Sequence, residues 1–85
     1  MRYATILKFA YCKLIMREKS FGQVLQKIRK EQGLSQEELA FKASLHRTYI
    51  SDLERDRKSP SLRTVEKLAE VLGLSMLELI RQMYV

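Results

Sequence analysis

Leu34-Ser-Gln-Glu-Glu-Leu-Ala-Phe-Lys-Ala-Ser-Leu-His-Arg-Thr-Tyr49, continued by Ile50-Ser-Asp-Leu-Glu54, is the stretch on which the fold turns. Ser35 with Glu38 three residues on has the spacing of a capping box, in which each side chain satisfies a free backbone N–H of the other. Glu37 and Glu38 in the first turn also suit the positive end of a helix dipole. Leu39, Ala40 and Ala43 recur at helical spacing and predict an inward face on a helix of about two turns. Ala43-Ser-Leu-His46 reads as a tight turn with Leu45 as its buried plug. A second short helix, from about Arg47 to Arg55, buries Ile50 and Leu53.

The flanking sequence extends the same pattern. Ser20 with Gln23 forms another capping box, Phe21, Val24, Leu25 and Ile28 form an apolar stripe, and Gly33 suits the residue just past a helix end. After a polar loop, Asp56-Arg-Lys-Ser-Pro60, a fourth helix carries Leu62, Val65, Leu68, Ala69 and Leu72 and stops at Gly73. Ser75 with Glu78 predicts a third capping box, opening a helix with Met76, Leu77, Leu79, Ile80 and Met83. Three Gly and one Pro leave little material for turns. The expectation is an all-α fold: a compact five-helix domain over residues 20–85, preceded by an extension over residues 1–19.

That extension is different in kind. Tyr3, Ile6, Leu7, Ala10 and Leu14 fit one face of an amphipathic helix, with Lys8 and Lys13 among them. The two lysines interrupt any signal-peptide core, no small-residue cleavage site follows, and Tyr11 before Cys12 spoils a lipoprotein reading. Met16 is an alternative start, which would make the first fifteen residues an optional extension; membrane association of the stripe is a further reading. No apolar run approaches the roughly 20 residues that span a bilayer. A lone cysteine, Cys12, excludes an intramolecular disulfide and fits a reducing, cytoplasmic compartment.

The net charge is +6, but residues 1–19 supply +4 of it, five basic groups against Glu18. The rest of the chain carries eleven basic and nine acidic groups, only +2. Clustering is more informative: Arg55, Arg57, Lys58 and Arg63 lie close together in sequence. Together with the helix pair, this points to DNA. In such a device one helix crosses the backbone while the next sets its N-terminal residues against base edges in the major groove. A small residue, Ala40, lets the helices approach; Leu45 anchors the corner; Ile50 and Leu53 fix the depth of the second helix; Arg47, Thr48 and Tyr49 are free to bond.

Ser35-Gln-Glu-Glu-Leu-Ala, Arg47-Thr-Tyr-Ile-Ser-Asp-Leu-Glu54, Pro60-Ser-Leu and Val71-Leu-Gly-Leu-Ser together resemble the Xre/Cro class of phage repressors, with a lambda-repressor-like fold. Within that class, Arg47-Thr-Tyr-Ile-Ser is most similar to controller proteins of restriction–modification systems. The resemblance covers about residues 20–80. It implies that Arg47 and Thr48 reach base edges, arginine matching guanine O6 and N7 together. It implies backbone contacts from Gln36, Tyr49, Ser51, Arg57, Lys58 and Ser59, and an ion pair between Arg29 and Glu54. It also implies a polymerase contact from Glu37 on the second helix, where related repressors carry acidic residues. Three departures stand out. Ser44 occupies the usual glycine of the turn. His46 replaces a better N-cap. Asp52 stands where relatives use Gln or Gly, and is expected to accept from cytosine N4 or to orient Arg47.

A single headpiece reads only a few base pairs, so a homodimer is expected, with Leu77, Ile80, Met83 and Tyr84 at its seam. Two-fold symmetry then requires a pseudo-palindrome with half-sites about 34 Å apart or a multiple of that. The expected partners are double-stranded DNA, a second copy and RNA polymerase, with no membrane, small-molecule ligand, cofactor or metal. His46 is the only histidine and lacks a ligand cluster around it, so neither catalysis nor metal binding is indicated. A phage-type repressor, an antitoxin that binds a toxin and represses its own operon, and a specificity subunit of a neighbouring enzyme remain open alternatives.

Overall fold

A computed structural model of the chain describes residues 19–84. The expectations for the extension, including those for Cys12 and Met16, lie outside the described residues. Among the described residues, the elements are α1 (Phe21–Glu31), α2 (Gln36–Ala43), α3 (Arg47–Glu54), α4 (Leu62–Val71), α5 (Met76–Arg81) and a closing 3-10 turn, Gln82–Tyr84. The all-α, five-helix expectation holds, with the last helix tightening after Arg81.

Serine opens four of the five helices. Ser20, Ser35, Ser61 and Ser75 each accept from the backbone N–H three residues on. The boxes at Ser20 with Gln23 and Ser35 with Glu38 are reciprocal. The expected box at Ser75 is only half made: Ser75 accepts from the Glu78 N–H, while the Glu78 carboxylate turns to Arg81 at 3.9 Å. The exception is α3, whose N-cap His46 makes no side-chain bond.

The first four helices end alike. A left-handed residue follows each, and the next N–H returns to a carbonyl five positions back. The pairs are Leu34 to Arg29, Leu45 to Ala40, Arg57 to Asp52 and Leu74 to Ala69. The left-handed residues are Gly33, Ser44, Asp56 and Gly73. Leu34, Leu45 and Leu74 then pack on the core, whereas Arg57 is exposed. One repeated stop signal thus yields three plugs and one outward cation. Leu45 is half-buried rather than sealed, since it sits at a corner that stays open to solvent.

The main core joins Leu25, Leu39, Ala40, Ala43, Ile50, Leu53, Leu68 and Leu72. Ala40 and Ala43 keep α2 thin on that side, so α3 can lie close to it. A second cluster, Val24, Val65, Ala69 and Leu79, ties α5 to α1 and α4, and Met83 packs against it. Leu62 departs from expectation: it fits the stripe of α4 but is 73% exposed, because it is the first helical residue and the core begins one turn later at Val65.

Candidate nucleic-acid interface

The orientation of α3 is set by its buried face and by two locks at its C-terminal end. Ile50, Leu53 and Glu54 are buried. The opposite face, Arg47, Thr48, Ser51, Asp52 and Arg55, follows the i, i+1, i+4, i+5, i+8 spacing of one helical stripe. Arg47, Thr48 and Arg55 are exposed, and Ser51 and Asp52 are half-exposed. Arg55 belongs to this stripe by geometry, yet in sequence it counts only as one more charge in a basic run.

A buried ion pair locks the helix in place. Arg29 Nε donates to Glu54 Oε2 at 2.6 Å, Nη2 to Oε1 at 3.0 Å, and Nη1 to the Leu34 carbonyl at 2.8 Å. Glu54 Oε1 also accepts from Gln36 Nε2 at 3.0 Å. One carboxylate therefore joins α1, α2 and α3. No buried polar side-chain atom among the described residues lacks a partner, as a charge pair in a low-dielectric interior requires. For Gln36 this commits one of its two amide hydrogens to Glu54.

A second lock lies just past the same end of α3, and nothing in the sequence singled it out. The Asp56 backbone is left-handed, φ 58°. Its carboxylate accepts from Ser20 Oγ at 2.7 Å and from the Gly22 N–H at 3.2 Å. This draws the start of α1 so close that a Cβ on Gly22 would stand 2.3 Å from the Leu53 carbonyl oxygen and 2.8 Å from that of Glu54. A glycine in one helix and an aspartate in a loop 34 residues on carry no local sign of this contact.

Lys58 Nζ is 3.6 Å from Asp52 Oδ2 and 5.8 Å from the centre of the Tyr49 ring. Tyr49 is half-buried on the core, and its hydroxyl reaches Thr64 Oγ1 at 3.5 Å. Asp52, expected at a base edge, and Tyr49 and Lys58, expected at the backbone, therefore form one group, in which Asp52 pairs with the loop lysine. Arg57 and Ser59 are exposed in the same loop. The turn before α3 carries the backbone expected of a missing glycine: Ser44 has φ 55° and ψ 41°.

On α2, Glu37 is exposed, and so is Phe41 one turn later, at 85%. Together with Ala40, Leu45, His46 and Arg47 they line a shallow open groove of about 270 Å³. Of the four residues assigned to a dimer seam, Leu77, Ile80 and Tyr84 are exposed, whereas Met83 is half-buried on the second cluster. Among the described residues there is no group of three or more His, Cys, Asp or Glu side chains able to hold a metal, and no helix long and apolar enough to cross a membrane.

Comparison with known proteins agrees with this arrangement. The immunity repressor of Bacillus phage phi105 is 51% identical over 55 residues, covering 65% of this chain but only 38% of the repressor. Control protein C.BamHI of Bacillus amyloliquefaciens is 46% identical over 61 residues, 71% of this chain and 75% of that protein. The crystal structure of the restriction–modification controller C.Esp1396I, a tetramer on its natural 35 base-pair operator, superposes with a TM-score of 0.69 at 35% identity, covering 74% of this chain and 83% of that one. A family model described as helix-turn-helix matches residues 25–79, from within α1 through most of α5. The chain belongs to the helix-turn-helix family, of the Xre type.

Proposed function

We propose that the protein is a sequence-specific DNA-binding transcriptional regulator, acting as a restriction–modification controller of its own gene and of an endonuclease gene. The observation that carries this reading is the outward stripe of α3, anchored at the helix's C-terminal end by Glu54 and Asp56 and led by Arg47 and Thr48. Its match to control proteins over about three quarters of their length supports the controller kind in particular. In this reading Arg47 and Thr48 contact bases. Gln36, Tyr49, Ser51, Arg57, Lys58 and Ser59 hold the backbone, and Asp52 works chiefly by positioning Lys58. Two copies joined through α5 bind a pseudo-palindrome, low occupancy activating and high occupancy repressing.

The acidic Glu37 beside the uncovered Phe41 supports an activating contact with RNA polymerase, since a partner seated there would lie next to the DNA-facing end of α3. Glu37→Ala should lose activation and keep DNA affinity; loss of both would remove that separation.

The test is titration onto duplex DNA from the roughly 100 base pairs upstream of the gene, against a random duplex of equal length, at two salt concentrations. A preference of about 10³-fold or more with a stepwise footprint is the expected result. Equal, strongly salt-dependent binding to both would leave only a generic phosphate-binding surface and overturn the reading.

A further inference from the structure

One carboxylate stands on the outward stripe of α3. Among residues 47–63 the acidic side chains are Asp52, Glu54 and Asp56. Glu54 is turned inward onto Arg29 and Gln36, and Asp56 onto Ser20 and Gly22. Asp52 lies instead among Arg47, Thr48, Ser51 and Arg55, five residues past Arg47 and so about 7.5 Å further along the helix. That distance is within the span of a major groove about 12 Å wide. A negative charge placed there repels the phosphates that flank the groove unless it is paired.

Its partner is Lys58, and the stop after α3 makes the pairing. The Arg57 N–H returns to the Asp52 carbonyl at 2.9 Å, which brings the next residue back over the helix. Lys58 Nζ then lies 3.6 Å from Asp52 Oδ2 and 5.8 Å from the centre of the Tyr49 ring. The Tyr49 hydroxyl is in turn held on α4 by Thr64 Oγ1. The two partners differ in freedom. The Asp52 side chain is 20% exposed, whereas that of Lys58 is 58% exposed, and its flexible stem can swing the ammonium away. While the pair holds, this charge is engaged by Asp52 and not by a phosphate. The pair is also weak enough to exchange, since exposed pairs of this kind change an equilibrium constant by up to about fivefold.

Exchange needs a new partner at each end. Any duplex offers Lys58 a phosphate. Asp52 is harder to satisfy, because an ionised carboxylate only accepts hydrogen bonds. In the major groove the base-edge donors are cytosine N4 and adenine N6, while guanine and thymine present acceptors. We propose that the Asp52–Lys58 pair withholds one phosphate contact from DNA that sets no amino group against Asp52, and releases Lys58 to the backbone where that group is present. Asp52 is then a positioning residue for Lys58 whose setting depends on base sequence. The inference rests on the DNA-binding reading above and deepens it: part of the specificity is a contact refused to the wrong duplex.

Salt dependence tests it, because each phosphate neutralised adds about 0.9 to the slope of log affinity against log salt. The full-length parent, Asp52→Ala, Lys58→Met and the double variant, each checked by far-UV circular dichroism, are titrated onto the upstream duplex and a random duplex over a salt series. On the random duplex Asp52→Ala should steepen the slope by about 0.9 and bind up to about fivefold more tightly. On the upstream duplex its slope should not change. Lys58→Met should flatten the slope on the upstream duplex by about 0.9, and in the double variant the steepening on the random duplex should vanish. An Asp52→Ala slope that is unchanged on the random duplex, or that moves equally on both, would reduce the pair to a structural surface contact and overturn the proposal. A preference for the upstream duplex with unmoved slopes leaves the regulator reading standing and removes this inference alone. No preference in any variant, together with the steepened Asp52→Ala slope, upholds the withheld lysine while the sequence-specific reading fails.

Discussion

Gly22→Ala separates local helix preference from tertiary packing. Gly22 is the second residue of α1, and by propensity alone alanine would stabilise the helix by up to about 1 kcal/mol. The structure predicts the opposite sign. The new Cβ would stand 2.3 Å from the Leu53 carbonyl oxygen, 2.8 Å from that of Glu54 and 2.7 Å from Asp56 Oδ1. Two of these atoms are backbone of α3 and cannot rotate away. Forcing α1 and α3 apart is an overpacking defect of about 1–3 kcal/mol. Weakening the bond from the Gly22 N–H to Asp56 adds about 1 kcal/mol or more. After the propensity gain, the net loss is about 2 kcal/mol, or roughly 8–16 °C in melting temperature for a domain of this size. Urea unfolding followed by circular dichroism measures it directly, with Lys27→Ala, at an exposed position of α1, as the control expected to shift by no more than about 0.5 kcal/mol. A Gly22→Ala chain as stable as its parent would refute the close approach of α1 to α3.

Further predictions concern the other locks. Glu54→Ala leaves the Arg29 guanidinium buried without its partner and should cost about 3–5 kcal/mol, with part of the loss recovered by adding Arg29→Met; an Ala variant unfolding at the parent's urea midpoint would show that the pair does not hold α3 in place. Ser44→Gly should stabilise by about 0.5 kcal/mol, the strain relieved at φ 55° being partly offset by a more flexible unfolded chain; destabilisation would mean that the Ser side chain contributes more than the strain costs. The Glu38 carboxyl is held below its usual range by the Ser35 backbone N–H and then by the Ser35 hydroxyl. That contribution is full above the unfolded-state value, about 4.3, and is lost as pH falls through the lower folded value. Glu38→Gln should therefore flatten the acid limb of the stability curve, and an unaltered limb would assign it to other carboxylates.

What could be read from sequence was what is encoded locally. Ser20 with Gln23 and Ser35 with Glu38 announce helix starts, Gly33 and Gly73 announce ends, and the 3.6-residue spacing of Leu39, Ala40 and Ala43 gives the buried face of α2. What could not be read depends on residues distant in sequence. Gly22 looks neutral until α3 is placed against it, and Asp56 looks like loop until its backbone turns left-handed and its carboxylate reaches back to Ser20 and Gly22. Leu62 continues a periodic stripe, but periodicity does not say on which turn the core starts. Asp52 reads as a candidate base contact, and nothing local reveals that the loop also folds Lys58 back to it. Among the candidate contact residues, the side-chain types were legible and their couplings were not.

The central claim is that α3 reads base sequence while the loop after it holds phosphate. Affinities of the parent, Arg47→Ala and Arg57→Ala for the operator and for a random duplex, across a salt series, test it most directly. Arg47→Ala should cost about 1–3 kcal/mol on the operator, little on the random duplex, and relax preference at one position per half-site. Arg57→Ala should weaken binding to both duplexes alike and flatten the salt slope by about 1 for each phosphate no longer neutralised. Identical behaviour of the two variants on the two duplexes would contradict the division of labour and, with it, the role of α3 as the reading helix.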